Sequence, residues 1–286
     1  MTSPGERVRL RVASLNVFSG RTARGLAAGP EALADAVRLL DVDVLACQEV
    51  DRRQPRSGLV DQTSEMAKAM DAPYARFAPT VLGTPGEPGW TAATGEPAET
   101  DAAAYGVSLV SRWKVEDWYE LRLTPARGRF PLLIPGRPPR MIWLRDEPRV
   151  ALAARLEMGV TVVCTHLSFV PGVNLRQLRQ VRRWLEGLAL PGPVVVMGDL
   201  NLPPLPVRRA TGWTPLVTAA TFPGWRPGVQ LDHVLGVGLP PGTTARGELT
   251  EELPVGDHRA VRVFLDLPGG GFGPIVNALP EGSTPA

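Results

Sequence analysis

The segment VVVMGDLNLPP, Val194 to Pro204, places a carboxylate and an amide two positions apart where an apolar run ends. Side chains on an extended segment alternate faces, so Asp199 and Asn201 are expected to point the same way, with Leu200 opposite. Such a pair is costly to desolvate unless something answers it. Polar groups of the same character close other strand-like runs: Asn16 after VRLRVASL, Glu49 after DVDVLACQ, His166 in VTVVCTHL and Asp232 in VQLDHVLG. Asp257 and His258 stand just before a last strand, in VGDHRAV, and all three histidines of the chain lie within these segments. Strand ends that meet at one sheet edge are a common place for a site to assemble.

The elements that must deliver these groups alternate between the two periodicities. VRLRVASLNV reads as a strand ending at Asn16, and Leu33, Val37 and Leu40 share a face of a helix opened by Pro30. DVDVLACQEV reads as a buried strand ending at Glu49, with a short helix over 61–70 after it. YGVSLVSR, VEDWYELRL, RVALAARLE, VTVVCTHLSF, VVVMGDLN, VQLDHVLG and HRAVRVFLDL read as further strands. Val173 to Leu190 is predicted helical, with Leu178, Val181, Leu185 and Leu188 inward and Arg176, Arg179 and Arg183 on a solvated face. Residues 84–104 are expected to be a mobile surface loop, and PARGRFPLLIPGRPPR to be irregular. Direct strand-to-strand joins mixed with helical ones predict an α/β (α+β) sandwich rather than a parallel doubly wound sheet. We expect one domain over 1–267 and a Gly/Pro-rich tail over 268–286 that frays.

Composition narrows the class. The 286 residues are 44% hydrophobic and 21% charged, as in soluble globular proteins. No apolar run approaches the ~18 residues of a membrane span, and no leader pattern opens the chain, so a cytoplasmic monomer is expected. Thirty-one Lys and Arg against 29 Asp and Glu give a net charge of +2, which does not demand a nucleic-acid partner. The two cysteines, Cys47 and Cys164, lie in apolar runs and read as small hydrophobes, not as a disulfide or zinc site.

In order and wording, SLNV, LACQEV, VVCTHLS, VVMGDLN, LDHVL and GDHRAV resemble the endonuclease/exonuclease/phosphatase superfamily, across about Arg7 to Leu267. Apurinic endonucleases, pancreatic-type deoxyribonucleases, neutral sphingomyelinases and inositol polyphosphate 5-phosphatases belong to it, and the chain looks closest to bacterial members of unsettled substrate. The resemblance implies a four-layer sandwich of two packed mixed β-sheets flanked by helices, with the site at one edge. It implies Glu49, Asp257 and Asn16 around Mg²⁺ or Mn²⁺, oxygen donors suiting a hard cation. It implies Asp199 and Asn201 holding the attacking water, and His258, paired with Asp232, donating to phosphate oxygens. His166 matches a histidine that steadies the phosphate or protonates the leaving oxygen. His233 reads as a packing or surface residue.

Arg52, Arg53 and Arg56 follow the metal glutamate and are candidate phosphate contacts, their forked guanidinium fitting phosphate oxygens. A solvated Arg loop is the bland alternative, and the same pair of readings applies to Arg127 and Arg129. Trp90 could stack on a base or dip into a lipid interface. Without a strong basic stripe, the expected function is metal-dependent hydrolysis of a small or lipid-linked phosphodiester or phosphomonoester. A DNA or RNA nuclease is the alternative, and the intact set of polar residues argues against an inactive binding module.

Overall fold

The computed structural model describes residues 7–29, 31–94, 102–134 and 138–269. Strand β1 (Val8–Asn16) leads to helix α1 (Ala32–Leu40), whose buried Leu33, Ala36, Val37 and Leu40 recur three and four residues apart. β2 (Val44–Arg52) then lies parallel to β1, which a helical crossover permits. Helix α2 (Gln62–Met70) is capped by Asp61, whose carboxylate accepts from Ser64 N at 3.1 Å. β3 (Tyr74–Leu82), β4 (Thr91–Ala92), β5 (Ala104–Ser111), β6 (Val115–Leu123), β7 (Arg129–Ile134), β8 (Arg140–Arg145), β9 (Arg149–Leu156) and β10 (Thr161–His166) precede α3 (Val173–Leu188). β11 (Val194–Asp199), α4 (Pro204–Thr211), β12 (Thr214–Pro215), β13 (Asp232–Val237), β14 (Thr244–Leu249) and β15 (Val261–Leu267) complete the order.

Two mixed sheets result. One has the order β14-β15-β1-β2-β5-β3-β4 and the other β12-β13-β11-β10-β9-β6, with β7 and β8 forming a separate ribbon. The sheets face each other across Leu10, Val12, Ala46, Leu152, Val162, Met197 and Val263. Helices α1 and α2 cover the outer side of the first sheet through Leu33, Leu40, Met66 and Met70 against Leu15, Leu45 and Val50. Helices α3 and α4 cover the second through Leu178, Val181, Leu185 and Val207 against Val163, Val196 and Leu235. This is the four-layer sandwich expected, helix–sheet–sheet–helix. β1 shows the logic at one strand: Leu10 and Val12 enter the inter-sheet core, while Ala13 and Leu15 enter the helix-covered one.

Some local expectations change. β2 does not stop at Glu49 but continues to Arg52 through a register shift between Cys47 and Val50. PARGRFPLLIPGRPPR is not irregular throughout, since it supplies β7 and the start of β8. Of the expected loop 84–104, Thr91 and Ala92 pair with β3 and Ala104 belongs to β5, whereas 95–101 lie outside the described residues. The tail beyond Gly269 and Pro30 lie outside them too. Cys47 and Cys164 are buried and free, as their apolar runs suggested. No helix among the described residues is long and apolar enough to cross a membrane.

Candidate active site

Three neighbouring strands of the second sheet bring polar groups to one edge. β10 and β11 run parallel and pair His166 with Asp199, while β13 runs antiparallel to β11 and starts with Asp232 opposite Asp199. The three side chains therefore stand abreast. Gly198 permits this spacing: a Cβ there would lie 1.9 Å from Thr165 O, inside the neighbouring strand's backbone. The strand ends at Asp199, so Asn201 reaches the site by a turn rather than by alternation. Its φ is 49°, and its N–H donates back to Asp199 Oδ1 at 2.9 Å. Asn201 Nδ2 then donates to Leu167 O at 3.0 Å, 3.3 Å from His166 Nε2.

The first sheet contributes from across the core. Glu49 sits where β2 slips register, with a φ of 57°, so a non-glycine residue holds a left-handed conformation inside a strand. That kink turns its carboxylate out of the alternating pattern and toward Asn16. Asn16 Nδ2 donates to Glu49 Oε1 at 3.0 Å and lies 3.3 Å from Asp199 Oδ2, joining the two sheets at their shared edge. Phe18 N donates to Asn16 Oδ1 at 3.0 Å, which orients the amide. Asp257 arrives on the loop before β15, where Gly256 has a φ of 94° and a Cβ would lie 2.5 Å from Asn16 O.

His258 is buried between carboxylates. Its Nδ1 is 2.7 Å from Asp232 Oδ2, and its Nε2 is 3.8 Å from Asp199 Oδ2 and 3.9 Å from Asp257 Oδ1. Although burial disfavours the charged ring, these carboxylates together hold its pKa well above the ordinary histidine value. Phe222 closes one side, its ring centre 4.8 Å from that of His258. His166 is the opposite case. Burial and the neighbouring Arg149 push its pKa well down, so the ring is neutral. Arg149 Nη1 lies 3.0 Å from His166 Nδ1, and a guanidinium only donates. The closer Arg149 contact favours a ring proton on Nε2, which faces Asp199 Oδ2 at 3.5 Å with the Asn201 amide nitrogen 3.3 Å away.

The acids of the site resist ionisation because they are buried together. Desolvation, reinforced by Asp232, raises Asp199 to about 6 against the pull of His258. Desolvation and the charge of Glu49 raise Asp257 to about 7. Glu49 is raised as well, chiefly by burial and further by Glu147 and Asp199.

Around this centre, Arg56 binds Asp51 through two hydrogen bonds of 2.9 and 2.7 Å and lies 5.5 Å from the centre of the Tyr105 ring. Arg52 stacks on Phe77 at 4.9 Å, and Arg53 N donates to Val60 O at 2.8 Å. Tyr105, Glu147 and Arg149 were not singled out in the sequence. Glu147 and Arg149 are 3.7 Å apart, and both influence the buried Tyr105 hydroxyl, which burial pushes well up. Charged residues opening the apolar run RVALAARLE were the available signal. His233 is a packing residue, its Nε2 2.8 Å from Leu202 O and its Nδ1 3.4 Å from Gln230 Nε2.

The donor set suits a hard divalent cation. Asp257 Oδ1 and Asp232 Oδ1 are buried without a hydrogen-bond partner among the described residues, a costly state that a cation would relieve. Asp199, Asp232 and His258 offer ligand atoms within 4.8 Å of one another. Asp232 Oδ2 and His258 Nδ1 already satisfy each other, and Glu49, held by Asn16, and Asp257 add two further buried carboxylates whose charges act on one another.

The sequence profile described as the Endonuclease/Exonuclease/phosphatase family matches residues 13–258, from just before Asn16 to His258. Among curated proteins, none matches. Among solved structures, an endonuclease/exonuclease/phosphatase from Beutenbergia cavernae is similar over 92% of this chain and 72% of that one, with 20% identity and a TM-score of 0.61. A second, from Bacteroides vulgatus, is similar over 91% of this chain and 99% of that one, at 16% identity and a TM-score of 0.60. Truncated Caenorhabditis elegans TDP2 is similar over 90% and 97%, at 14% identity and a TM-score of 0.55. At these identities the likeness is one of fold.

Proposed function

The chain belongs to the endonuclease/exonuclease/phosphatase family, and from that premise we propose that residues 1–267 form one metal-dependent phosphoesterase that uses water to cleave a small or lipid-linked phosphoester. The observation that carries this reading is the convergence on one carboxylate oxygen: Asp199 Oδ2 lies 3.3 Å from Asn16 Nδ2, 3.5 Å from His166 Nε2 and 3.8 Å from His258 Nε2. A base so placed is fixed in direction, and at about 6 it is matched to proton transfer near neutrality.

Glu49 and Asp257, with Asn16 beside them, would hold Mg²⁺ or Mn²⁺. Once bound, the ion supplies positive charge that polarises the phosphate. The chain's own residues do the rest. Asp199 accepts a proton from the attacking water, and Asn201, pinned by its bonds to Asp199 and Leu167, keeps its amide beside that water. His258, held charged by Asp232, presents Nε2–H to the oxygen on which charge builds. His166 presents a second Nε2–H as a neutral donor, because Arg149 occupies Nδ1. Arg56 is fixed by Asp51 through Nε and Nη2, the edge a phosphate would take, so in this reading it acts on the site through its charge near Glu49, and Arg52 and Arg53 remain the candidate phosphate contacts of that segment.

A panel of bis(4-nitrophenyl) phosphate, sphingomyelin, inositol phosphates, plasmid DNA and an abasic oligonucleotide, each with Mg²⁺ and with EDTA, tests the reading. Hydrolysis of a small or lipid phosphoester that EDTA abolishes is expected. Full activity after exhaustive chelation would end it, and turnover of the nucleic acids alone would transfer the site to a nuclease.

A further inference from the structure

Near the catalytic edge but outside it, β7 and β8 set Arg129 directly opposite Arg145. Like charges facing each other across an antiparallel ladder destabilise it. Arg127, Arg129 and Arg145 have no ion pair among the described residues, and Arg145 rests on Trp90, its guanidinium carbon 4.8 Å from the ring centre. Local costs of this kind are tolerated at functional sites.

Trp90 and Arg145 together divide two adjoining cavities. One, of about 330 Å³, is also lined by Arg129 and Glu147. The other, of about 540 Å³, is also lined by Arg127 and Asp146. The acids there are engaged with other groups or exposed, except that Glu147 Oε2 is buried without a hydrogen-bond partner. Asp146 accepts from Ala126 N and Ser168 Oγ, both at 2.7 Å, Glu147 faces Arg149 at 3.7 Å, and Glu87 is exposed on the rim. Trp90 is placed by Gly83, where a Cβ would lie 3.2 Å from Trp90 Cα. The Arg145 guanidinium carbon lies 4.8 Å from the centre of that ring, and its N–H donors have no partner among the described residues, so they are left for an acceptor. The cavity is also tied to the reaction centre, because Glu147 lines it and acts on Glu49.

We propose that Arg129 and Arg145, with Arg127 beside them and Trp90 as their platform, bind a second phosphate of the substrate, remote from the one that is cleaved. The proposal rests on the phosphoesterase reading. A small metabolite carrying two phosphates and the neighbouring phosphodiester of an oligonucleotide present the same chemistry.

Two measurements test it. The first compares kcat/KM for bis(4-nitrophenyl) phosphate, for the 5′-(4-nitrophenyl) ester of thymidine 3′,5′-bisphosphate and for a short oligothymidylate. In the protein carrying both Arg129→Ser and Arg145→Ser, the preference for a second-phosphate substrate over bis(4-nitrophenyl) phosphate should fall roughly tenfold or more, through KM, as expected for lost charged hydrogen bonds. A fall confined to the thymidine ester identifies the small-molecule source, and one confined to the oligonucleotide identifies the polymer. An unchanged preference overturns the proposal.

The second measurement titrates inorganic pyrophosphate into the metal-free full-length protein and follows tryptophan fluorescence. Saturable change is expected in the wild type, and its loss in Trp90→Phe and in the double arginine variant. No saturable change, or an identical one in the arginine variant, overturns the subsite whatever the kinetics. Binding without hydrolysis of any phosphoester would sink the enzymatic reading and leave the anion site standing.

Discussion

Asp199 Oδ2, Asp232 Oδ2 and the Arg149 guanidinium give two histidines opposite duties. His258 is charged and anchored through Nδ1, whereas His166 is neutral and anchored through the same atom by a donor instead of an acceptor. If Asp199, Asn201 and His258 serve one transition state, Asp199→Asn and His258→Ala should each lower kcat ~10²–10⁴-fold with little change in KM. The double variant should lose less than the product of the single losses, because the groups act on one event. Wild-type turnover from a normally folded His258→Ala protein would sink the assignment. Arg149→Met removes the donor to Nδ1, so the ¹⁵N spectrum of His166 should shift toward the Nδ1–H form and kcat should fall. Arg149→Lys, which keeps a donor, should restore part of both. An unchanged ring spectrum in the Met variant would show that Arg149 does not set the tautomer.

At the scale of elements, β2 bears a local cost for its function. Glu49 holds a φ of 57° within a strand, a conformation worth about 1–2 kcal/mol against an ordinary residue and nearly nothing against glycine. Glu49→Gly and Glu49→Ala should both lose activity and metal response, yet the glycine variant should be the more stable, by about 1 kcal/mol in chemical denaturation. Equal stabilities would mean that the bulge relaxes once the carboxylate is gone. The polar strand ends were legible because each interrupts an apolar run, and runs of that kind specify the inner strands. Asp199 and Asn201 share a side as alternation suggested, although a turn and not the strand puts them there. Other features were hidden for physical reasons. β7 and β8 lie among five prolines, which usually argue against a strand, but a two-stranded ribbon tolerates Pro131 because each strand is paired on one side only. β14 is an exposed edge strand, TARGEL, with no apolar face to announce it. Arg149 opens a strand, where a charge reads as solvent-facing, yet it is buried against His166.

For the molecule as a whole, the clustered acids couple folding to pH and cation. Aspartates in an unfolded chain titrate near 3.9, whereas folding raises Asp199 to about 6 and Asp257 to about 7. The folded state thus binds these protons more tightly, so their contribution is fully present below about pH 4 and is lost as pH rises through about 7. The metal-free protein should melt lower at pH 8 than at pH 5.5, an effect partly offset by His166 and His233, whose lowered pKa values favour the folded state as pH rises. Mg²⁺ should recover more at pH 8, where it competes with fewer protons. Equal Mg²⁺ shifts at both values in differential scanning calorimetry would contradict a carboxylate site.

One further property concerns time of assembly. β1 pairs with β15 along its length, Val8 opposite Leu267, and His258 lies just before β15. β1 thus waits for β15, more than 240 residues later, before that edge is covered, and the charged histidine joins Asn16 and Glu49 only then. A chain halted just before residue 257 carries Asn16, Glu49, His166, Asp199, Asn201 and Asp232 but neither Asp257 nor His258, so the candidate site stays incomplete until β15 is about to form.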